Sequence, residues 1–217
     1  MSLKSLLVVT VATIFFQQSL AQRNFDDYNR LGLHAGLSFT DITTSNFTTE
    51  QGSGFIGGFT SRGSFRGAFD LIYGINFVSA KVGILAENGG QDVFVDYTVQ
   101  GAQINFLGSL NIVKHHLSLE FGPVLNINGK LKLKSESQDG YILDGYEELR
   151  AGDIQDINPI NFHLAGGITA GIESFRVYGL YQYGVTNMLG GLNDNGFEED
   201  NFEGHMSMLS IGAVFYF

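Results

Sequence analysis

The sequence predicts an all-β protein, an eight-stranded antiparallel up-and-down transmembrane β-barrel, and three observations carry that prediction. Large apolar side chains alternate with small or polar ones at the period of two that marks a strand. The segments between these runs alternate in length, long then short. The last stretch, Met206 to Phe217, puts Leu209, Ile211, Ala213, Phe215 and Phe217 on one face and Met208, Ser210, Gly212, Val214 and Tyr216 on the other. A nearly uncharged strand of that length invites edge-to-edge aggregation unless it pairs with the first strand and closes a barrel.

Composition agrees. The chain has 29 Gly, 2 Pro, 19 Phe, 9 Tyr and no Cys, so no disulfide can staple it. Residues 1–21 read as a Sec-type signal peptide: Lys4, an apolar core from Leu6 to Phe16, and Ser19-Leu20-Ala21 before Gln22. The apolar core is well short of the roughly 20 residues that a spanning helix needs, so cleavage after Ala21 is expected. Residues 22–29 form a short periplasmic segment and 30–217 the barrel domain. The net charge of -10, with no basic patch, argues against nucleic acid as a partner.

Taken in order, strand one runs from Leu31 to about Thr40 and is followed by a polar loop, Asp41 to Gly52. Strand two lies around Gly54 to Thr60, with its register left open by the adjacent Gly57 and Gly58. Ser61-Arg62-Gly63-Ser64 reads as a tight turn. Strand three then places Phe69, Leu71, Tyr73, Ile75 and Phe77 on one face and Arg66, Asp70, Ile72 and Asn76 on the other. A loop is expected near Leu85 to Asp92. In strand four the apolar set changes parity, from Val93, Val95, Tyr97 and Val99 to Ile104, Phe106, Leu110 and Ile112, which suggests a bulge near Gly101. Strand five shows the longest alternation, Leu117 to Leu133, and its upper end should project beyond the bilayer. Ser135 to Asn158 is the largest loop. Strand six runs from Ile160 to Ile172, strand seven from Phe175 to about Asn187, and strand eight follows a loop from Met188 to His205. Short turns at one end and long loops at the other are the signature of bacterial outer-membrane barrels.

Alternation alone also fits a soluble barrel, lipocalin-like, with its apolar set inside. The second set, however, is mostly Gly, Ser, Thr, Asn and Ala, and strands six and eight carry no Asp, Glu, Lys or Arg in their interiors. A surface facing water should be rich in charge. Eight strands enclose a space that side chains only just fill, so small residues suit the inside and Phe, Leu and Tyr the lipid.

Gly32-Leu33-His34-Ala35-Gly36-Leu37-Ser38-Phe39, Phe55-Ile56-Gly57-Gly58-Phe59, Phe121-Gly122-Pro123-Val124-Leu125 and Tyr181-Gln182-Tyr183-Gly184-Val185-Thr186-Asn187-Met188 resemble the strand motifs of the PorT-like outer-membrane β-barrel family of the Bacteroidetes. The resemblance covers nearly the whole chain after the leader. It departs at Gln103-Ile104-Asn105, where such proteins often carry an Ile-Pro step. It implies outer-membrane lipids as the surroundings. It also implies assembly by the barrel-insertion machinery, with Phe215 and Phe217 in the terminal strand as the assembly signal. One member of that family is tied to protein secretion across the outer membrane, so an accessory role toward envelope or secretion partner proteins is the implied function. No catalytic residue and no cofactor come with the resemblance.

Candidate chemistry is sparse. Arg66, Asp70, Glu120 and Arg176 fall on the inward set near the periplasmic end, and charges in a narrow lumen must pair. An internal ion network that blocks the lumen is the reading preferred over a gated path. His34, His163 and His205 show no triad spacing that would mark a rim enzyme, and His115-His116 point to opposite faces of a turn. The two largest loops together hold 12 of the 22 carboxylates. Solvation explains that, although Asp194, Glu198, Glu199 and Asp200 are weak candidates for a divalent cation, since carboxylate oxygens suit Ca²⁺ and Mg²⁺.

Overall fold

The computed structural model describes residues 29–217; the leader and its expected cleavage point lie outside the described residues. Eight antiparallel strands form a closed ring: β1 (Asn29–Thr44), β2 (Thr49–Arg66), β3 (Phe69–Asn88), β4 (Gln91–Val113), β5 (Leu117–Asn128), β6 (Ile160–Gly171), β7 (Phe175–Gly184) and β8 (Gly204–Tyr216). Each strand pairs with its sequence neighbour. β8 closes on β1 from Gly32↔Tyr216 to Thr44↔Gly204, so no edge is left open along that seam.

The two faces separate as their chemistry requires. Phe59, Ile75 and Leu164 point outward and are 68%, 64% and 60% exposed, part of a continuous apolar belt that suits lipid and would be an aggregation surface in water. Ser38, Asn76, Gln103, Asn126 and Ser210 are buried in the lumen. The register of β2 is settled by the same rule: Phe55 and Phe59 face out and Ile56 is buried inside. Gly57 therefore faces out and Gly58 in.

Several boundaries differ from the sequence reading. Ser61–Ser64 is not a turn; β2 continues to Arg66, and the chain reverses at Gly67, whose φ of 59° only glycine adopts readily. Arg62 is consequently buried inside and Arg66 is exposed at the strand end. Neither Asp41–Gly52 nor Leu85–Asp92 is a long loop. β1 and β2 run on to a short connection, and β3 and β4 pair without interruption up to Asn88↔Gln91, with Gly89 and Gly90 at φ 62° and 82° making the turn. Strand five stops at Asn128, and Lys132–Leu133 forms a separate short strand beside β4. β7 ends at Gly184.

No bulge interrupts β4 at Gly101. The odd-numbered residues face inward along the whole strand, from Val95, Tyr97 and Val99 to Gln103, Asn105 and Ser109. What changes is the surroundings. Within the belt most apolar residues of this strand face lipid, Leu107 being buried inside; beyond it they face a second core under the loops. A bulge does occur in β2, between Gln51 and Phe55, where side chains at Gly52 and Gly54 would strike the β3 backbone.

β3 and β4 have 20 and 23 residues, about twice the 9–11 that cross a bilayer. They project as a hairpin beyond the belt at the loop end. The 129–159 connection wraps its inner side, with Lys132–Leu133 pairing on β4 and Ile142–Leu143 on β3.

Candidate functional site

The lumen is built in three layers. At the turn end lies a buried ion network centred on Arg62. Its Nε donates to Asp70 Oδ2 at 2.9 Å and its Nη1 to Glu120 Oε1 at 3.0 Å. Nη2 donates to the hydroxyls of Ser109 at 2.6 Å and Ser118 at 2.8 Å. Arg176 enters from the other side, donating to Ser118 Oγ at 3.0 Å and to the His115 carbonyl at 2.9 Å. Two guanidiniums thus share one serine hydroxyl, and two carboxylates balance their charge. Of the expected set, Asp70, Glu120 and Arg176 converge; Arg66 does not, because the turn lies further along the chain than the sequence suggested, and Arg62 takes its place. Continuing the alternation from Ile56 through Gly58 and Thr60 was the signal that could have found it.

The middle layer mixes polar side chains with a small apolar cluster of Ile72, Leu107, Val124, Ala165 and Leu180. His34 Nε2 lies 2.6 Å from Asn76 Oδ1 and its Nδ1 3.1 Å from Tyr178 Oη; Asn76 donates to Asn105 at 2.8 Å. These groups border a cavity of about 60 Å³ that Glu120 and Gln182 also line. It has room for a few water molecules and is far below the ~300–1,000 Å³ of ordinary ligand pockets. The Tyr178 hydroxyl sits over two glycines on adjacent strands: a Cβ at Gly36 or Gly212 would lie 2.8 or 2.7 Å from it. Small residues on β1 and β8 therefore make space for one aromatic ring on β7.

The outer layer is dry. Ile42, Val82, Ile84, Val95, Tyr97 and Met206 from the strand ends and Phe47 from the β1–β2 connection pack with Leu131, Leu149, Ile154, Leu189, Leu192 and Phe202 from the two longest connections. Phe47 and Phe202 stack at 5.6 Å, and the Tyr97 hydroxyl donates to the Ala151 carbonyl at 2.9 Å. The connections are thus a folded cap, where the sequence suggested solvated loops. Their apolar residues lack a clean period, which concealed the cap.

On the cap's surface, Glu198 Oε1 accepts the backbone N–H groups of Glu147, Glu148 and Leu149 at 3.1, 3.1 and 2.9 Å. Those of Glu148 and Leu149 in particular hold its carboxyl below the usual carboxylate range. Glu199 Oε1 accepts the amides of Asp200 and Asn201. Asp194, Glu198, Glu199 and Asp200 are not gathered into a cation site: among the described residues no three His or acidic side chains converge as metal ligands. Glu198 serves instead as a clasp between the two connections. His205 approaches the Gly184 carbonyl and Glu203, far in sequence from His34 and its amide and phenol partners. Neither His is bonded to a serine or threonine hydroxyl.

No family model matches the sequence, and no curated protein matches it either. Among solved structures, the barrel is similar to Neisserial surface protein A at a TM-score of 0.51 and 9% identity, over 86% of this chain and 97% of that one. The chain has the fold of the eight-stranded outer-membrane barrels. Ail, the attachment invasion locus protein of Yersinia pestis, matches at a TM-score of 0.49 and 12% identity over 87% of this chain and 99% of its own. OprG from Pseudomonas aeruginosa matches at 0.47 and 11% identity over 88% and 97%.

Proposed function

We propose that this chain is an exported, PorT-like outer-membrane barrel that acts as a non-catalytic structural and interaction protein, accessory to an envelope or secretion assembly. One observation carries the reading: the lumen is shut twice, by the Arg62 network at one end and by the dry cap at the other. A sealed lumen leaves the outer face as the working surface. That face is a pinned, acidic cap on which twelve carboxylates are displayed. The lipid-facing belt supports membrane residence. The chain reaches it after Sec export with cleavage after Ala21, and the insertion machinery reads the strand carrying Phe215 and Phe217, both exposed on the lipid side.

Conductance in planar bilayers tests the sealed lumen. Purified protein should give no discrete current steps, and steady steps at neutral pH would overturn the reading. Sequencing of the mature N-terminus should begin at Gln22. The lipid A and phospholipid profile of a deletion strain should be unchanged, whereas loss of one acyl or phosphate modification would favour a rim enzyme.

A further inference from the structure

Two lysines at the loop end of the belt lie in one row. Lys81 on β3 pairs with Thr98 on β4, and Thr98 pairs in turn with Lys132. Residues directly opposite in a ladder share a face. Their neighbours Val82, Tyr97 and Leu131 point into the cap, so the row points out, and both lysines are exposed. On the β2 side Gly52 lies beside Lys81 and has no side chain, and Glu50 lies against Gly83.

The charge around this row is sorted. Lys134 is bound to Asp96 at 2.8 Å and Lys130 to Asp156 at 2.7 Å. Glu50 lies opposite Gly83, one row further from the belt, and the acidic cap lies beyond it. No carboxylate is within ion-pair distance of Lys81 or Lys132 among the described residues.

Depth decides what meets these ammonium groups. The last continuous apolar row is Phe77, Ala102, Ile127 and Ile160. Lys81 is four residues beyond Phe77, about 13 Å of strand, or about 10 Å of depth at a tilt of ~40°. Long lysine stems reach back several ångströms toward an interface. The headgroup layer on each side of a bilayer is about 5–7 Å thick, so a stem reaching back from Lys81 brings its ammonium group level with lipid phosphates.

We propose that Lys81, Thr98 and Lys132 form a binding site for the phosphate of an anionic lipid headgroup in the outer leaflet. The ammonium groups supply charge and the Thr98 hydroxyl a hydrogen bond. Two cations on strands two apart, about 10 Å between backbones, suit a headgroup with more than one phosphate. This site rests on the membrane reading above.

The test uses full-length mature protein folded in phosphatidylcholine nanodiscs and titrated with diphosphoryl lipid A, with bound lipid counted by native mass spectrometry. K81Q/K132Q should bind about 10- to 30-fold more weakly, from the contribution typical of a lysine at an anionic surface. Dephosphorylated lipid A should bind wild type and variant alike. Equal binding of the diphosphoryl form by both proteins would overturn the site, as would displacement of the lipid by millimolar inorganic phosphate, the mark of an unselective anion contact. Failure of both proteins to enter the nanodisc would sink the membrane reading and the site with it; entry with equal affinities sinks the site alone.

Discussion

Arg62 on β2 and Glu120 on β5 meet at 3.0 Å across the lumen, although two strands stand between them around the wall. Arg62→Ala leaves Asp70 and Glu120 buried without their cation, so it should destabilise the barrel by about 3–5 kcal/mol, read as a lower urea midpoint in vesicles. Arg66→Ala, at the exposed strand end, should change stability by less than about 0.5 kcal/mol. The opposite order would return Arg66 to the network.

The place of Tyr178 over Gly36 and Gly212 predicts a coupled pair. Gly36→Ala should cost about 1–3 kcal/mol through overpacking. In the background of Tyr178→Leu, part of that cost should disappear, giving an interaction energy of at least ~0.5 kcal/mol in a double-mutant cycle. Strict additivity would show that the ring and the glycine are independent.

The Glu198 clasp makes the cap sensitive to acid. The folded-state carboxyl is held low by backbone amides, so its contribution is complete above the ordinary glutamate value of ~4.3. It is lost as pH falls through the lowered folded value. Hydrogen exchange at the amides of Glu148 and Leu149 should quicken in that acid window in the wild type. In Glu198→Gln the same amides should exchange faster already at neutral pH. Identical protection in both proteins would remove the clasp.

Phe202 is fully buried in the cap against Phe47 and Tyr146. Phe202→Ala should cost the cap about 3–5 kcal/mol and expose residues 135–158 to protease at neutral pH. Heat-modified gel mobility should stay that of a folded barrel, because the belt and the Arg62 network are untouched. Loss of both together would mean that cap and barrel unfold as one unit.

How far these features could be read from sequence depended on which rule applied to each residue. Closure, strand number and the outward Leu and Phe rows follow from period and side-chain size, since both act locally. The parity change between Tyr97 and Ile104 looked like a bulge because alternation reports the apolar side and not where it points. One uninterrupted strand crosses from a zone where lipid is outside to one where a folded cap is inside. Arg62 was obscured for a related reason. Ser-Arg-Gly-Ser and Arg-Gly-Ala both have turn composition, and only three-dimensional pairing, Ser64↔Asp70 with Arg62↔Ile72, chooses between them. Glu198 has no local signature, because its partners are backbone amides about 50 residues away.

The partners of Arg62 have a bearing on how the ring is put together. Asp70, Ser109, Ser118 and Glu120 all belong to β3, β4 and β5, so a curved half-wall made of β2 to β5 already neutralises the guanidinium. The inward pairs along the β1–β8 seam run from Gly32↔Tyr216 through His34↔Val214, Gly36↔Gly212, Ser38↔Ser210 and Thr40↔Met208 to Ile42↔Met206, and none brings a carboxylate, lysine or arginine. The final zipping step therefore adds no formal charge to the lumen, and the pairing of Arg62 is complete before the ends of the wall come together.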